Sequence, residues 1–334
     1  MRAVIMTEYG GPEVMRVEDI AEPEMGAGDV MVDVRAAALN PIDFKIRNGD
    51  MKQAMKFDMP LTMGFEMAGV VREVGSDVTK FKPGDEVYAR VAGSRIGCFS
   101  ECIAVDESVV ALKPPSLSFE EAASLPLAGL TAWQCLTDRM NVSQGQKVLI
   151  HAGAGGVGTL AIQFAKHLGA YVATTASPRN HEFLKDLGAD EVIDYTAEDF
   201  TEKCSDYDAV LDTMGGTVLE KCFQVVKPGG WVVSITSMPD PETAVEMGMP
   251  LPVRLILRLM TRKVRGLARK AGVNYRFLFM NPNSEDLEGF NKLIAAGKLK
   301  PIIDKVYPLD EAVHAMNYLE LGHARGKVVL KVRG

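Results

Sequence analysis

The chain has little of what marks several specialised classes of protein. Its five cysteines in 334 residues are a sparse, odd set, which argues against a disulfide scaffold and favours reduced thiols in a cytoplasmic protein. No uncharged apolar run is long enough to span a bilayer, and the run before Thr7 is too short for a signal peptide. Basic residues number 37 against 44 acidic ones, a net charge of −7, which argues against nucleic acid as the principal partner.

Several catalytic signatures are also missing. There is no G-x4-G-K-[ST] loop for ATP, no G-x-S-x-G nucleophile turn, and no Tyr followed by Lys four residues later. Cys98 and Cys102 are close in sequence, but no second pair or nearby histidine accompanies them, so we expect no metal site. The remaining route to chemistry is a bound cofactor that the protein positions.

The length and the pattern of the chain predict two domains. Up to about residue 122, short β-rich runs separated by turn residues predict a small barrel-like β domain. After Pro126, strands alternate with helices, which predicts an α/β fold with a doubly wound parallel sheet covered by helices on both faces. We assign residues 1–123 and 281–334 to the β-rich domain and residues 124–280 to the α/β domain.

A glycine-rich motif follows the first strand of the α/β domain. The stretch "HAGAGGVG", residues 151–158, contains Gly153-x-Gly155-x-x-Gly158 between a predicted strand and a predicted helix. At such a turn the glycines allow a tight bend and a close approach of the backbone to a pyrophosphate, which the helix N-terminus then attracts. We therefore predict a dinucleotide site that also includes Gly156 and Val157.

The next strand predicts which dinucleotide is bound. It ends at "SPRN", with Ser177 and Arg179 where an Asp or Glu for the ribose of NAD would be expected. Arg offers a charge-assisted fork to a 2′-phosphate and Ser offers a small donor, so the residues favour NADP(H). The alternative is that Arg179 is an ordinary exposed residue at the start of a helix.

A basic amphipathic segment lies at residues 251–270. Its arginines fall on one helical face and its apolar residues on another. A helix at a membrane surface would have this pattern. We favour a helix that covers the sheet and exposes its arginines, because the segment lies between two predicted strands.

The order of the motifs resembles that of the medium-chain dehydrogenase/reductase superfamily over essentially the whole chain. The motifs that carry the resemblance are "ALNPIDFKIRNG", "GFEMAGVVREVG", "FKPGDEVYA", "AASLPLAGLTAW", "VLIHAGAGGVG", "LGADEVIDY", "PGGWVV" and "RGKVVL". The chain looks like the zinc-independent quinone oxidoreductase and enone reductase branch, because Asn40 and Phe65 stand where zinc-dependent relatives have Cys and His ligands. The resemblance implies a Rossmann-type domain and a GroES-like β-barrel domain.

The resemblance also implies roles for single residues. Asn40 lies at the active-site mouth in this branch, and Lys45 matches the lysine that reaches the nicotinamide ribose, so both are candidate catalytic residues. The remaining positions that match cofactor-binding residues are Thr131 near the nicotinamide, Tyr195 near the 2′-phosphate, and Ile235, Phe279, Arg325 and Gly326, which line the nicotinamide end or close over the cofactor. Tyr195 could instead cap a packed strand, and Ile235, Phe279, Arg325 and Gly326 each have a plain core or turn alternative. Without the family match, Lys45 would be read as a solvated lysine at the end of a strand.

Together these expectations describe an NADPH-dependent oxidoreductase. It would transfer hydride to a quinone or to the C=C bond of an α,β-unsaturated carbonyl compound, and Lys45, the Asn40 amide and the cofactor ribose would donate to the developing oxyanion. A zinc-free carbonyl reductase and an NADPH-binding structural or redox-sensing protein are the alternatives. The habit of the family implies a homodimer.

Overall fold

The structure is a computed structural model that describes residues 1–52 and 55–333. The chain divides into two compact units. Unit 1 comprises Met1–Leu130 and Asn281–Gly334, and unit 2 comprises Thr131–Met280. The domain boundaries assigned from the sequence, 1–123 with 281–334 and 124–280, remain a prediction.

The strands are numbered in chain order. They are β1 (Arg2–Met6), β2 (Met15–Asp19), β3 (Asp29–Leu39), β4 (Leu61–Thr62), β5 (Glu66–Val74), β6 (Glu86–Arg90), β7 (Cys102–Asp106), β8 (Val110–Leu112), β9 (Lys147–Ile150), β10 (Tyr171–Ala176), β11 (Glu191–Asp194), β12 (Tyr207–Asp212), β13 (Val226–Ser234), β14 (Asn274–Phe277), β15 (Ile303–Pro308) and β16 (Lys327–Lys331).

The α-helices follow the same convention. They are α1 (Pro41–Arg47), α2 (Phe119–Ala123), α3 (Pro126–Gln134), α4 (Gly156–His167), α5 (His181–Asp186), α6 (Phe200–Lys203), α7 (Gly216–Cys222), α8 (Pro241–Glu246), α9 (Leu251–Met260), α10 (Arg262–Ala271), α11 (Ser284–Ala295) and α12 (Ala312–Glu320). In the described parts of the chain, no helix is long and apolar enough to cross a membrane.

Unit 1 is built on β-sheets. One sheet has the order β15-β16-β3-β5-β6-β8, with β7 also paired to β3, and a three-stranded sheet has the order β2-β1-β4. The long strand β3 holds the larger sheet together, because it pairs antiparallel with β16, β5 and β7. Eight of its eleven residues are apolar, and most of the strand is buried. The predicted β-rich character of this part of the chain is confirmed.

Unit 2 contains a six-stranded sheet with the order β11-β10-β9-β12-β13-β14. Every neighbouring pair in it is parallel. This order reverses direction between β9 and β12, which is the point at which ligands bind in doubly wound sheets, beyond the carboxyl ends of the strands. The predicted α/β fold with a doubly wound parallel sheet is confirmed.

The segment at residues 251–270 differs from the favoured expectation. It forms two helices, α9 and α10, with Thr261 between them. The helix α10 packs Val264, Leu267 and Ala268 against the hydrophobic core of unit 2, as a sheet-covering helix does. The helix α9 does not, because Leu257 is its one buried residue and most of its other large apolar side chains are exposed. The prediction of a sheet-covering helix is therefore right for α10 and wrong for α9.

Candidate functional site

The glycine-rich loop joins β9 to α4 in unit 2. The N–H of Gly153 donates to the carbonyl oxygen of Thr175 at 3.1 Å, which fixes the loop to the neighbouring strand. A Cβ atom on Gly153 would lie 2.1 Å from Thr174 Oγ1, and one on Gly158 would lie 2.4 Å from the carbonyl oxygen of Ala152. Both positions therefore require glycine for close packing of strand, loop and helix.

The start of α4 is suited to an anion. Gly155 precedes the helix and offers no side chain to cap it, and no acidic residue lies in the first turn. The first N–H groups of a helix lack partners within it, and its N-terminus carries a partial positive charge. The backbone of Gly156 and Val157 can therefore hold the pyrophosphate of a dinucleotide.

The next two strands end beside this loop. Ala176, the last residue of β10, pairs in register with Asp194, the last residue of β11. Ser177 and Tyr195 are the residues that follow, so they leave the sheet at the same edge. Arg179 lies two residues beyond Ser177 in a short 3-10 helix and is exposed, and the Tyr195 side chain is also exposed.

Two further groups at this edge were not identified from the sequence. The Nε2 atom of His181 lies 3.3 Å from the carbonyl oxygen of Ala176, so a further nitrogen-bearing side chain lies near Ser177 and Arg179. The carboxylate of Asp194 accepts from the backbone N–H and the hydroxyl of Thr196, and these hydrogen bonds lower the pKa of Asp194. The histidine in "SPRNH" could have indicated that His181 lies near Ser177 and Arg179, because it follows them closely in the sequence.

Three other residues that the sequence predicts to bind the cofactor lie in unit 2, namely Ile235, Phe279 and Thr131. Ile235 directly follows β13, and its N–H donates to the carbonyl oxygen of Asp212 at 3.1 Å. Phe279 lies two residues after β14. Parallel strands end on one edge, so the topology brings both to the edge that carries the glycine loop. Thr131 is buried in α3, outside the strands, so strand register does not bring it to this edge.

A buried histidine supports the glycine loop from behind. Nδ1 of His151 lies 3.2 Å from the hydroxyl of Thr175, and Nε2 lies 3.4 Å from Sγ of Cys222. The same Thr175 hydroxyl accepts from the N–H of Ala152 at 3.1 Å. Burial lowers the pKa of His151 to about 4, so the ring is neutral at neutral pH and serves as a packed polar support.

Unit 1 contains a buried polar cluster around Asn40. The Asn40 amide nitrogen donates to Oε1 of Glu66 at 2.7 Å and to the carbonyl oxygen of Ala38 at 3.3 Å. Its amide oxygen accepts from Nζ of Lys327 at 2.5 Å. These bonds engage both amide hydrogens, and the residue is only 3% exposed, so the amide has no hydrogen left for a substrate oxygen.

The centre of this cluster is an ion pair between Glu66 and Lys327. Lys327 Nζ lies 2.7 Å from Glu66 Oε1 and also donates to the carbonyl oxygen of Leu39 at 3.0 Å. The other carboxylate oxygen of Glu66 accepts from the N–H of Leu127 at 2.6 Å. All three ammonium hydrogens therefore have acceptors, which is the condition under which a buried ion pair is tolerated.

Asp43 completes the cluster. Its Oδ2 accepts from the backbone N–H of Asn40 at 2.7 Å, and its Oδ1 has no hydrogen-bond partner within the described residues. Burial raises the pKa of Asp43 to about 7. Arg90 is buried close by, its guanidinium lies 5.2 Å from the centre of the Phe65 ring, and burial lowers its pKa to about 10.

The other site residues predicted in unit 1 are Lys45, Arg325 and Gly326, and they lie outside the polar cluster. Lys45 is half-buried on α1, and its ammonium makes no hydrogen bond or ion pair to any residue that the structure describes. Arg325 is exposed just before β16. Gly326 has a φ of +95°, and a Cβ there would lie 2.3 Å from the carbonyl oxygen of Ile302, so this turn requires glycine.

Family models match two parts of the chain. Residues 26–115 match the alcohol dehydrogenase GroES-like domain, and residues 187–330 match a family described as zinc-binding dehydrogenase. The chain is 39% identical to 2-methylene-furan-3-one reductase of Solanum lycopersicum, over 99% of this chain and 79% of that protein. The chain belongs to the medium-chain dehydrogenase/reductase superfamily. The predicted superfamily and its GroES-like domain are thereby confirmed.

Further relatives place this superfamily member more closely. It is 38% identical to the NADPH-dependent alkenal/one oxidoreductase of Arabidopsis thaliana, over 99% of this chain and 79% of that protein. It superposes on the quinone oxidoreductase of Coxiella burnetii with a TM-score of 0.88 and 38% identity, over 100% of this chain and 99% of that one. The predicted quinone oxidoreductase and enone reductase branch is confirmed, as is the prediction of an oxidoreductase.

Zinc does not fit the residues of this superfamily member at Asn40 and Phe65. Asn40 is engaged by Glu66 and Lys327, and Phe65 is a buried ring without a donor atom. Among the described residues, no group of three or more His, Cys, Asp or Glu side chains could hold a metal ion. The polar cluster of unit 1 is organised around the ammonium group of Lys327, which donates to Leu39, Asn40 and Glu66.

The sequence interpretation missed Asp43, Glu66 and Lys327. Glu66 and Lys327 are single charged residues within the apolar stretches "GFEMAG" and "GKVVL". A charged residue in a buried strand needs a partner, so these two could have been recognised as candidates for pairing. Because they lie far apart along the chain, no local pattern indicates that they pair with each other.

Proposed function

We propose that this protein reduces the C=C bond of an α,β-unsaturated carbonyl compound or reduces a quinone, with NADPH as the hydride donor. The glycine loop and the absence of an acidic residue at the end of β10 carry this proposal, because together they select a phosphorylated dinucleotide. The relatives named above as enone, alkenal and quinone oxidoreductases support the substrate class.

The residues of unit 2 would bind the cofactor. Gly153, Gly155, Gly156 and Val157 would hold the pyrophosphate through the loop backbone and the start of α4. Ser177, Arg179 and Tyr195 would surround the 2′-phosphate, with Arg179 supplying a charge-assisted hydrogen bond.

Other residues would act near the nicotinamide or close over the cofactor. This role is proposed for Thr131, Ile235, Phe279, Arg325 and Gly326 because they match superfamily positions. The edge positions of Ile235 and Phe279 support it for those two. The geometry at Gly326 supports a turn that fixes the direction of Arg325.

When bound, NADPH supplies the hydride. The hydride would go to the β-carbon of the enone, the C=C electron pair would move towards the carbonyl oxygen, and a solvent proton would complete the saturated product. The negative charge on that oxygen needs a donor. We assign this role to Lys45, either directly or through the nicotinamide ribose, because its ammonium has no partner among the described residues.

Asn40 would act as a positioning residue. Its amide is held by Glu66 and Lys327, and its backbone N–H is held by Asp43 at the start of the helix that carries Lys45. The cluster would fix the first turn of α1. Lys45 would then approach the reacting oxygen from a rigid helix, which is the arrangement that electrostatic catalysis favours.

Product analysis tests the reaction. NADPH oxidation is measured with a simple enone, an enal and a quinone, with NADH alongside, and the enone products are identified. We expect NADPH to be preferred and the enone to give a saturated ketone. An allylic alcohol would instead establish a carbonyl reductase, and tight NADPH binding without turnover of any substrate would establish a structural or redox-sensing protein.

The cellular setting is also proposed. We place the protein in the cytoplasm, because its five cysteines are all free and buried, as in a reducing compartment. We also propose a homodimer. The strand β14 stands at the end of the sheet order in unit 2 and supplies an edge with which a second copy could pair.

A further inference from the structure

The helices α9 and α10 carry a surface that neither the hydrophobic core nor the proposed reaction uses. We call it the basic apolar surface. It consists of Leu251, Leu255, Arg258, Leu259, Ile256, Met260, Arg262, Arg265 and Arg269.

The apolar part of this surface lies on α9. Leu251, Leu255 and Leu259 recur every four residues and form one stripe on the helix. Their exposed fractions are 62%, 58% and 71%, and Ile256 and Met260 beside them are 58% and 55% exposed. Large side chains at helical spacing normally face a core, but here they face outward.

The charged part adjoins this stripe. Arg258 on α9 and Arg262, Arg265 and Arg269 on α10 line an open groove of about 390 Å³ together with Leu255 and Leu259. No side-chain hydrogen bond or ion pair joins these four guanidinium groups to any residue in the part of the chain that the structure describes. The groove therefore presents unneutralised positive charge directly beside exposed leucine side chains.

The charge of the segment contrasts with that of the whole protein. Residues 251–270 contain five arginines and two lysines and no acidic residue, whereas the chain has a net charge of −7. In this segment Lys263 alone has an ion pair in the described structure, with Glu220 at 2.5 Å. The positive charge is therefore concentrated on one face of an otherwise acidic protein.

The arginine and leucine side chains of the basic apolar surface favour one of two possible partners, a second copy of the chain or a lipid bilayer. A second copy docked symmetrically on this surface would bury both sets of arginines in one interface, and the segment has no carboxylate to neutralise them. An anionic lipid bilayer offers phosphate groups for the arginines and an acyl region for the leucines, which is how interfacial amphipathic helices bind. We propose that the basic apolar surface docks this protein on a membrane surface that contains anionic phospholipids.

Vesicle sedimentation tests the proposal with the full-length protein. Binding is compared between vesicles of phosphatidylcholine alone and vesicles that also contain phosphatidylglycerol. We expect binding to the mixed vesicles, reversed by high salt, and little binding to phosphatidylcholine. Arg262→Glu with Arg265→Glu should weaken binding at least about tenfold, since each basic residue near an anionic surface contributes a several-fold factor. Leu255→Ser with Leu259→Ser should also weaken it, without removing the salt dependence.

A charge-matched variant is the control. Lys292→Glu with Lys298→Glu changes the net charge equally at exposed positions of unit 1 and should leave vesicle binding unchanged. Thermal unfolding and NADPH binding verify that every variant is folded. Equal loss in the control variant would mean that overall charge alone drives binding and would overturn the proposal. An absence of vesicle binding by the wild-type protein would also overturn the proposal. If, in that case, the leucine variant changes the molar mass measured by light scattering, the surface is a contact between copies of the protein.

Discussion

The ammonium nitrogen of Lys327 lies 2.7 Å from Glu66 Oε1 and 2.5 Å from Asn40 Oδ1, although 261 residues separate Glu66 from Lys327 along the chain. The strand register explains this approach. β16 pairs with the end of β3, and β3 pairs with β5, so the first residues of β16 and β5 flank the last residues of β3. A cation therefore occupies the centre of the polar cluster that positions α1.

Removal of this cation should be costly for stability. Lys327→Met leaves the Glu66 carboxylate buried without its ion-pair partner, and we expect the free energy of unfolding to fall by about 3–5 kcal/mol. Adding Glu66→Gln removes the buried charge while keeping an acceptor for the Leu127 N–H, so the double variant should be more stable than Lys327→Met alone. Urea unfolding of the three proteins measures both effects.

An exposed ion pair provides the control for that prediction. Lys82 is 81% exposed in its pair with Asp85, so Lys82→Met should change the free energy of unfolding by less than about 1 kcal/mol. If the two lysine substitutions cost the same, the buried ion pair does not contribute as described.

The 2′-phosphate assignment leads to a prediction about cofactor choice. Arg179→Ala removes a charge-assisted contact to the phosphate but no contact to the rest of the dinucleotide, so the Kd for NADPH should rise about 10- to 100-fold. The Kd for NADH should be nearly unchanged. Lys185→Ala, at an exposed position of α5, is the matched control and should affect neither. Equal weakening of both cofactors by Arg179→Ala would place Arg179 away from the phosphate.

Two glycines in helices, Gly158 and Gly289, allow the effect of close packing on a glycine-to-alanine substitution to be distinguished from the effect of backbone flexibility. A Cβ on Gly158 would lie 2.4 Å from the carbonyl oxygen of Ala152, whereas a Cβ on Gly289 in α11 meets no atom within 4 Å. Gly158→Ala should therefore lower the melting temperature and weaken NADPH binding, because the loop must move. Gly289→Ala should be neutral or stabilise the protein by up to about 1 kcal/mol. Calorimetry and fluorescence titration with NADPH measure these outcomes, and tight NADPH binding by Gly158→Ala would contradict the assigned loop geometry.

The elements that follow from local patterns could be predicted from the sequence. The glycines of "HAGAGGVG" and the turn after β10 depend on neighbours in the chain, and both lie where they were expected. The buried cluster could not be predicted, because Asn40, Glu66 and Lys327 meet only through the pairing of three strands. The exposure of Leu255 and Leu259 also could not be predicted, because a helical pattern identifies an apolar face but does not show what covers that face.

The raised pKa of Asp43 predicts a pH dependence. Burial raises this pKa to about 7 in the folded protein, so the folded state keeps a proton that the unfolded state loses above about pH 4. The contribution of Asp43 to stability should therefore decrease as the pH rises from about 4 to about 7 and then remain constant. His151 acts in the opposite sense, because its pKa is lowered to about 4 and its contribution decreases as the pH falls below about 6.5.

A variant isolates the effect of Asp43 from that of His151. Asp43→Asn keeps an acceptor for the Asn40 N–H and does not ionise, so the wild-type protein should lose stability relative to this variant between about pH 4 and pH 7. Urea unfolding at a series of pH values gives the difference directly. A difference that is independent of pH would mean that Asp43 is ionised in the folded protein throughout this range.

The role assigned to Lys45 predicts a specific kinetic defect. If its ammonium stabilises the oxyanion of the reaction, Lys45→Met should lower kcat by about 10- to 1,000-fold, with a smaller effect on the KM of the enone. Lys45→Arg keeps the positive charge and should recover part of the loss. Lys52→Met, which removes an exposed lysine near the end of the same helix, should leave kcat unchanged. Steady-state rates of NADPH oxidation measure all three variants, and a normal kcat for Lys45→Met would exclude Lys45 from the chemical step, because a group that stabilises the oxyanion cannot be removed without slowing its formation.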